Sequence, residues 1–449
     1  MTADCHCDMI LQHLILPSTE CGDYRLYTDR DVKGFPVDLS PGESVEFRGF
    51  MNAFSLDKWR KYTDIGTLKL SLECTGRYSV ELHTELCESS SECENDSVID
   101  VPDMIETGLL YVRVTAITDT KVLSGSYVSD VEPEYARIAF DVCTYRRPEY
   151  IEKKKETFLK AMDYDGLSQN AEMFIVDNAS ELDTSASDPR IHVFHNPNTG
   201  GSGGISRGIE EIHRAGGFTH IVLMDDDTVL EPECLYRTWS FVSCLKDGYR
   251  DIAMAGAMLL ADDGCVVYES GAVFQNSTDN IARCRPLKHK LDVSEDAGCI
   301  RFDLPEEIDY GGWWYCVYPT SFARPDNLPL RLFMRYDDVE YGLRFGKEFV
   351  TLNGISVWHP DFNSRKDPVT LYYSIRNHLI LLEKLGFSTD DYRRKKRKDA
   401  LSLLKQRRRD LSSAMADALR DSHNFDPNNE DPLVELKKYN SLSLLLRLL

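Results

Sequence analysis

The sequence predicts a doubly wound, Rossmann-like α/β domain with a mostly parallel sheet, preceded by an all-β sandwich or barrel and followed by a helical region. Three observations carry that expectation. Short alternating apolar segments separated by Gly, Asp and Ser fill residues 1–131. Across residues 132–365 strand-like runs alternate with helix-like runs, which is the pattern of parallel βαβ units. Over residues 366–449 only helix-like patterns remain. A chain of 449 residues has room for roughly two to four domains, so three units are an ordinary outcome.

In the first unit, "SVEFRGFMNAFSL", "TLKLSLECTG", "YSVELHTEL" and "GLLYVRVTAIT" read as strands, and the polar stretch "CESSSECENDS" reads as a loop between them. "SDVEPEY" reads as a linker. In the second unit, "RIAFDVCTY" is a strand and "PEYIEKKKETFLKAM" a helix with Pro148 near its start. "EMFIVDN" and "IHVFHN" are strands, "GGISRGIEEIHRAGG" is a helix with a glycine exit, "HIVLMD" is a strand and "PECLYRTWSFVSCLKDG" a helix. Ligands of such sheets bind beyond the carboxyl ends of the strands. Thr144, Arg147, Asp177, Asn178, Asn198 and Asp225 to Asp227 all fall there. In the third unit, "TLYYSIRNHLILLEKLG" is amphipathic.

Composition narrows the function classes. A net charge of −22 argues against nucleic acid as a partner. No run of about 18 apolar residues is present, so no transmembrane helix is expected. The first residues lack a basic segment and a small-residue cleavage site, and thirteen scattered cysteines fit reduced thiols; both point to a cytoplasmic protein. Cys5, His6 and Cys7 could form half a metal site, but no matching pair follows. Residues 393–409, "RRKKRKDALSLLKQRRR", carry +9 on a chain that is otherwise −31. That segment has three readings: a solvated helix face, a patch pairing with the acidic body of a second copy in a homo-oligomer, or a contact with an anionic membrane surface.

The chemistry concentrates in a few motifs. "HIVLMDDDTVLEP" drives an apolar strand into three adjacent carboxylates, a repulsion that a hard divalent cation such as Mg²⁺ or Mn²⁺ would relieve. Such a cation can hold a diphosphate and stabilise it as a leaving group. A lone DxD is commonly a surface loop; its position after a buried strand is what favours the site. "NPNTGGSGGISRG" opens a helix but lacks the P-loop lysine and the dinucleotide spacing, which argues against ATP hydrolysis and NAD chemistry. Trp313 and Trp314 in "YGGWWYCVYP" read as a strand pair facing opposite ways with at least one in the core; the alternatives are that both are ordinary core or that, after paired glycines, an aromatic face stacks on a sugar. Asp337 and Asp338 in "RYDDVEYGLRFG" begin a helix, where capping is the bland explanation and catalysis the sharp one. His359 in "ISVWHP" ends a strand, where a neutral imidazole could complete a metal site.

Taken together, "CTYRR", "FIVDNAS", "NPNTGGSGGISRG", "VLMDDD", "GGWWY", "DDVEYGLR" and "VWHP" resemble glycosyltransferase family 2 with its GT-A fold, and within it the galactan-polymerising galactofuranosyltransferases. The motifs lie within residues 141–361. The resemblance implies an inverting, metal-dependent hexosyltransferase that passes galactofuranose from UDP-galactofuranose to a growing cell-envelope or polysaccharide glycan, with a lipid-linked acceptor. It implies Asp338 as general base, and Asp225, Asp227 and His359 as ligands of Mn²⁺ or Mg²⁺. It places Thr144, Arg147, Asp177, Asn198 and Asp226 on the nucleotide, and Trp313, Trp314 and Asp337 on the sugars. Work on lipid-linked glycans would put the chain at the inner face of the plasma membrane as a peripheral protein. The competing readings are a related transferase using UDP-galactopyranose or dTDP-rhamnose, and a catalytically silent glycan-binding protein.

Overall fold

The computed structural model describes residues 8–185, 188–277, 281–361, 367–426, 433–436, 443, 445 and 448. Cys5, His6 and Cys7 lie outside the described residues, as does most of the leucine-rich end.

The first unit consists of two antiparallel five-stranded sheets. One joins Met9–His13, Thr120–Ser129, Leu68–Thr75 and Ser97–Asp100, with Val37–Leu39 on the long strand. The other joins Ser44–Phe47, Leu109–Ala116, Arg77–His83 and Glu88–Glu94, with Phe54–Ser55 added. Alternation does the work: Leu68, Leu70, Leu72 and Cys74 point inward from one strand, and Tyr78, Val80 and Leu82 from another. Each fully buried apolar side chain contributes roughly 1.5–3 kcal/mol. The stretch expected to be a polar loop, 87–97, instead contributes the edge strand Glu88–Glu94, a turn at Asn95 (φ 56°) and the start of Ser97–Asp100. Its serines and glutamates do not favour a strand; pairing along the whole of Arg77–His83 overrides that.

The second unit is built on a seven-stranded mixed sheet. Its strands are β1 (Ile138–Thr144), β2 (Ala171–Asp177), β3 (Ile191–His195), β4 (His220–Asp225), β5 (Ala253–Ala255), β6 (Cys316–Pro319) and β7 (Phe349–Val350), in the order β3-β2-β1-β4-β6-β5-β7. β1 to β4 are mutually parallel, and β6 runs antiparallel to β4 and β5. The connecting helices are α1 (Pro148–Ala161), α2 (Gly200–Ala215) and α3 (Pro232–Ser243). Register decides where the site forms. Thr144 stands opposite Asp177, and Cys143 opposite Asp225, so the carboxyl ends of β1, β2 and β4 finish level at one edge. A smaller sheet brings β8 (Ser356–His359) alongside Ala257–Leu260, and an isolated bridge from Trp358 to Val229 ties it to the segment after the acid triplet.

Helix α3 is buried on all sides over Glu233–Ser243, because the first unit covers its outer face. Tyr236 donates to the Ile10 carbonyl at 2.9 Å and Arg237 to the Met51 carbonyl at 3.0 Å. Trp59, Trp239 and Phe241 share one apolar core, so the first two units are continuous in packing. After α4 (Asp337–Phe345), the chain ends in α5 (Pro368–Lys384), α6 (Asp390–Lys405) and α7 (Arg409–Asp421). Their core, with Tyr373, Leu379, Leu382 and Met415, also includes Tyr310, Phe333 and Val339 of the α/β unit.

Candidate active site

The three adjacent aspartates have three different surroundings. Asp226 turns inward, 6% exposed, and accepts from Thr144 Oγ1 at 2.7 Å and Arg147 Nη1 at 2.9 Å. Asp227 accepts from the same Arg147 nitrogen at 2.7 Å and lies 3.2 Å from His359 Nε2. Asp225 faces an open cavity. Beneath them Lys154 of α1 is buried, its ammonium donating to the Thr228 carbonyl at 2.6 Å and to Thr228 Oγ1. Burial lowers the Lys154 pKa to about 8, against the pull of the three aspartates, so the ammonium stays charged near neutrality. Burial raises Asp225, reinforced by Asp227. Asp227 is also pushed up by burial, but His359 and Arg147 outweigh this and hold it at about 2. Lys154 gave no signal in the sequence: a lysine in an exposed-looking "EKKKE" run reads as solvated.

Asp225, Asp227 and His359 offer ligand atoms that all lie within 4.8 Å of one another. Two carboxylates and an imidazole suit Mn²⁺ or Mg²⁺. The imidazole is oriented for this: Nδ1 lies 2.6 Å from the Pro360 carbonyl, which can only accept, so Nδ1 carries hydrogen and Nε2 faces the carboxylates. The donor set fits a divalent cation.

The start of α4 presents Asp337 and Asp338 to the same cavity as Asp225, a space of about 480 Å³. Burial raises both carboxyls, Asp338 to about 6 and Asp337 further because Asp338 adds to it. Asp338 Oδ1 accepts from the Val339 amide at 2.8 Å. Trp313 and Trp314 both line this cavity. The expectation that they sit on a strand is corrected: they form a turn ahead of β6, both are buried, and they join different core clusters. A Cβ on Gly312 would come within 2.3 Å of the Trp314 ring, so glycine there is what lets the ring fold back. Trp314 Nε1 is anchored on the Gly256 carbonyl at 3.0 Å.

Glu269, missed by the sequence reading, also lines the cavity; burial, with Asp338 adding, raises it to about 8. It ends the strand Val266–Glu269 in a stretch with no periodic or motif signal.

Of the residues expected on the nucleotide, Asp177 is 1% exposed and accepts from the amides of Ala179, Glu181 and Leu182 at 2.7–2.8 Å, so it organises the turn after β2. Asn198 Oδ1 accepts from the Gly200 amide at 3.3 Å. The glycine run does open the helix, and α2 begins at Gly200, three residues ahead of the expected start at Gly203. A Cβ on Gly204 would strike Cys143 Sγ at 2.2 Å, and one on Gly208 would strike Asp141 at 1.9 Å. These glycines bring α2 against β1.

With this geometry, residues 142–249 match the model of glycosyl transferase family 2. The chain carries a domain of that family, which implies the GT-A fold. It is homologous to two mycobacterial proteins named galactofuranosyltransferase GlfT2. One, from Mycolicibacterium smegmatis, is 25% identical over 77% of this chain and 58% of the relative. The other, from Mycobacterium tuberculosis, is 27% identical over 77% of this chain and 59% of the relative. The chain thus spans a little under three fifths of the length of these curated relatives. Overlap with solved structures is slight: a family two carbohydrate esterase from Cellvibrio japonicus is 12% identical over 34% of this chain and 48% of that one, with a TM-score of 0.15.

Proposed function

We propose that this chain is a metal-dependent inverting glycosyltransferase that moves galactofuranose from UDP-galactofuranose to a hydroxyl of a cell-envelope glycan. The observation that carries the reading is that Asp225, which groups with Asp227 and His359, lines the same cavity as Asp338. Inversion needs a base on the face away from the leaving diphosphate. Asp338 takes the proton from the acceptor hydroxyl, and its pKa near 6 keeps it ionised at neutral pH while leaving it basic enough to accept that proton. Asp225, Asp227 and His359 would hold a divalent cation, which would supply charge to offset that of the departing diphosphate. Arg147 adds a fixed positive charge there, and Asp226 with Thr144 fixes that guanidinium and the pocket wall. Asp177 and Asn198 shape the uridine side. Trp313 and Trp314 give the sugars an apolar floor, and Asp337 a hydroxyl partner. Incubation with UDP-galactofuranose, UDP-galactopyranose and dTDP-rhamnose tests the donor: metal-dependent release of UDP from the first alone supports the reading, and preference for either of the others overturns it.

The acceptor is lipid-linked in this reading, and the basic segment brings the enzyme to an anionic leaflet. Arg393 is removed from that role, because it is buried and bonded to Glu383, Ser422 and the Leu419 carbonyl. Arg394, Lys395, Arg397, Lys398, Lys405 and the run Arg407 to Arg409 are exposed. Each cation near such a surface is worth about 1 kcal/mol, screened by salt. No helix among the described residues is long and apolar enough to cross a membrane.

A further inference from the structure

The segment that delivers Asp337 and Asp338 has an unusual backbone. Phe333, Arg335 and Tyr336, none of them glycine, have φ of 68°, 67° and 67°. Left-handed backbone at three of four positions is unfavourable for L-residues and persists only where surroundings impose it. One side is imposed by α2: Ser202 Oγ accepts from the Phe333 amide at 2.9 Å, and a Cβ on Gly200 would come within 2.0 Å of the Phe333 carbonyl.

The other side is imposed by α5, from the helical region that no motif links to catalysis. Asn377, 0% exposed, points one amide nitrogen at three carbonyls of this loop: Nδ2 donates to Leu332 at 3.0 Å, Met334 at 2.8 Å and Arg335 at 3.0 Å. Its own Oδ1 is buried without a hydrogen-bond partner. That asymmetry is informative. Turning the amide over would satisfy nothing, since oxygen would then face three carbonyls, so the group is oriented by the loop at the expense of its acceptor. Two ring pairs flank it: Phe333 on Tyr373 with centroids 5.2 Å apart, and Tyr336 on His378 at 5.0 Å, both 13° from parallel. Ser374, one turn earlier on α5, lines the cavity itself.

We propose that Asn377 is a positioning residue for the general base: it clamps the loop 332–336 in its left-handed form and so fixes where α4 begins and where the Asp338 carboxylate stands. This rests on the reading of Asp338 as the base. The helical region is then part of the transferase machinery as well as a surface for membrane contact. A small displacement of a reacting group costs up to about 100-fold in rate, while donor binding, assigned to Asp225, Asp227, His359 and Arg147, is untouched.

Asn377→Leu removes the donors at similar volume, and Asn377→Asp keeps the shape but turns acceptors toward the carbonyls. In whichever variant folds, kcat should fall by about 10- to 100-fold with the donor KM within about threefold. The acid limb of the pH–rate profile should move, and amide hydrogen exchange should accelerate in 331–341 with little change elsewhere. Unchanged kcat, pH limb and local exchange would overturn the proposal. So would loss of kcat accompanied by matching loss of donor affinity and of protection throughout the chain, or failure of both variants to fold, each of which marks a residue of the fold only. If the unsubstituted chain transfers no sugar, the parent reading fails, and the exchange comparison still decides whether Asn377 holds the loop.

Discussion

His359 Nε2 stands 3.2 Å from Asp227 Oδ1 while Nδ1 of the same ring lies 2.6 Å from the Pro360 carbonyl. Since Nδ1 donates to that carbonyl, Nε2 meets the carboxylate either with a second proton or across a cation. Burial lowers the affinity of His359 for a proton, but Asp227 and Asp225 outweigh it and raise the pKa. In the metal-free form both ring nitrogens therefore lie against acceptors and the two aspartates favour the protonated ring, while burial favours a proton on Asp225 as well. Cation binding has to expel what these groups hold. Mn²⁺ titration by calorimetry in two buffers of different ionisation enthalpy should show release of about one proton near neutral pH and weaker binding as pH falls. Asp227→Ala should abolish that signal and the metal-dependent affinity for UDP while remaining folded. Proton-neutral, pH-independent binding would contradict this site.

Asp338→Asn keeps the shape of the side chain and removes its basicity. Transfer should drop by at least about 100-fold, with UDP-donor affinity within a few-fold. In the unsubstituted enzyme the rate should fall as pH drops through about 6, because protonated Asp338 accepts nothing. A wild-type rate in Asp338→Asn would move the base to Asp337.

Glu269 is raised from 4.5 to about 8, mainly by burial and further by Asp338, so it is neutral in the folded protein at neutral pH. A carboxyl that holds its proton more tightly when folded contributes stability that is complete below the unfolded pKa and is lost as pH rises through the folded one. The melting temperature should therefore decline between about pH 5 and about pH 9 more in the unsubstituted chain than in Glu269→Gln, where the neutral group is permanent. Equal declines would show that Glu269 ionises freely.

Replacing six of the exposed cations of 394–409 with Gln should reduce sedimentation with anionic vesicles at physiological salt and leave transfer to a short soluble acceptor intact. Unchanged sedimentation, or none by the parent, would leave the patch to a solvated face or a second copy.

The most readable part of the site was β4 and its acids, because an apolar strand cannot end in three carboxylates without a compensating charge. What the sequence did not disclose was the compensation supplied by the chain itself. Arg147 and Lys154 reach Asp226, Asp227 and Thr228 only through the packing of α1 beside β4, which no local pattern encodes. Trp313 and Trp314 look like strand residues because aromatics favour strands, yet the glycines before them make a turn. The helix α2 was legible, but not why it tolerates glycines that disfavour helix: close contact with Cys143 and Asp141 requires their small size. The clamp of Asn377 on residues 332–335 joins two units read separately, and its sequence context is an ordinary amphipathic helix.

Mass spectrometry of products formed from UDP-galactofuranose and a synthetic galactofuranoside tests the proposed activity most directly. The expected result is acceptor extended by hexose units in the presence of Mn²⁺ or Mg²⁺, with no extension in excess EDTA. Extension that persists in EDTA, or acceptor returned unchanged while another nucleotide sugar is consumed, would contradict a metal-dependent galactofuranosyltransferase.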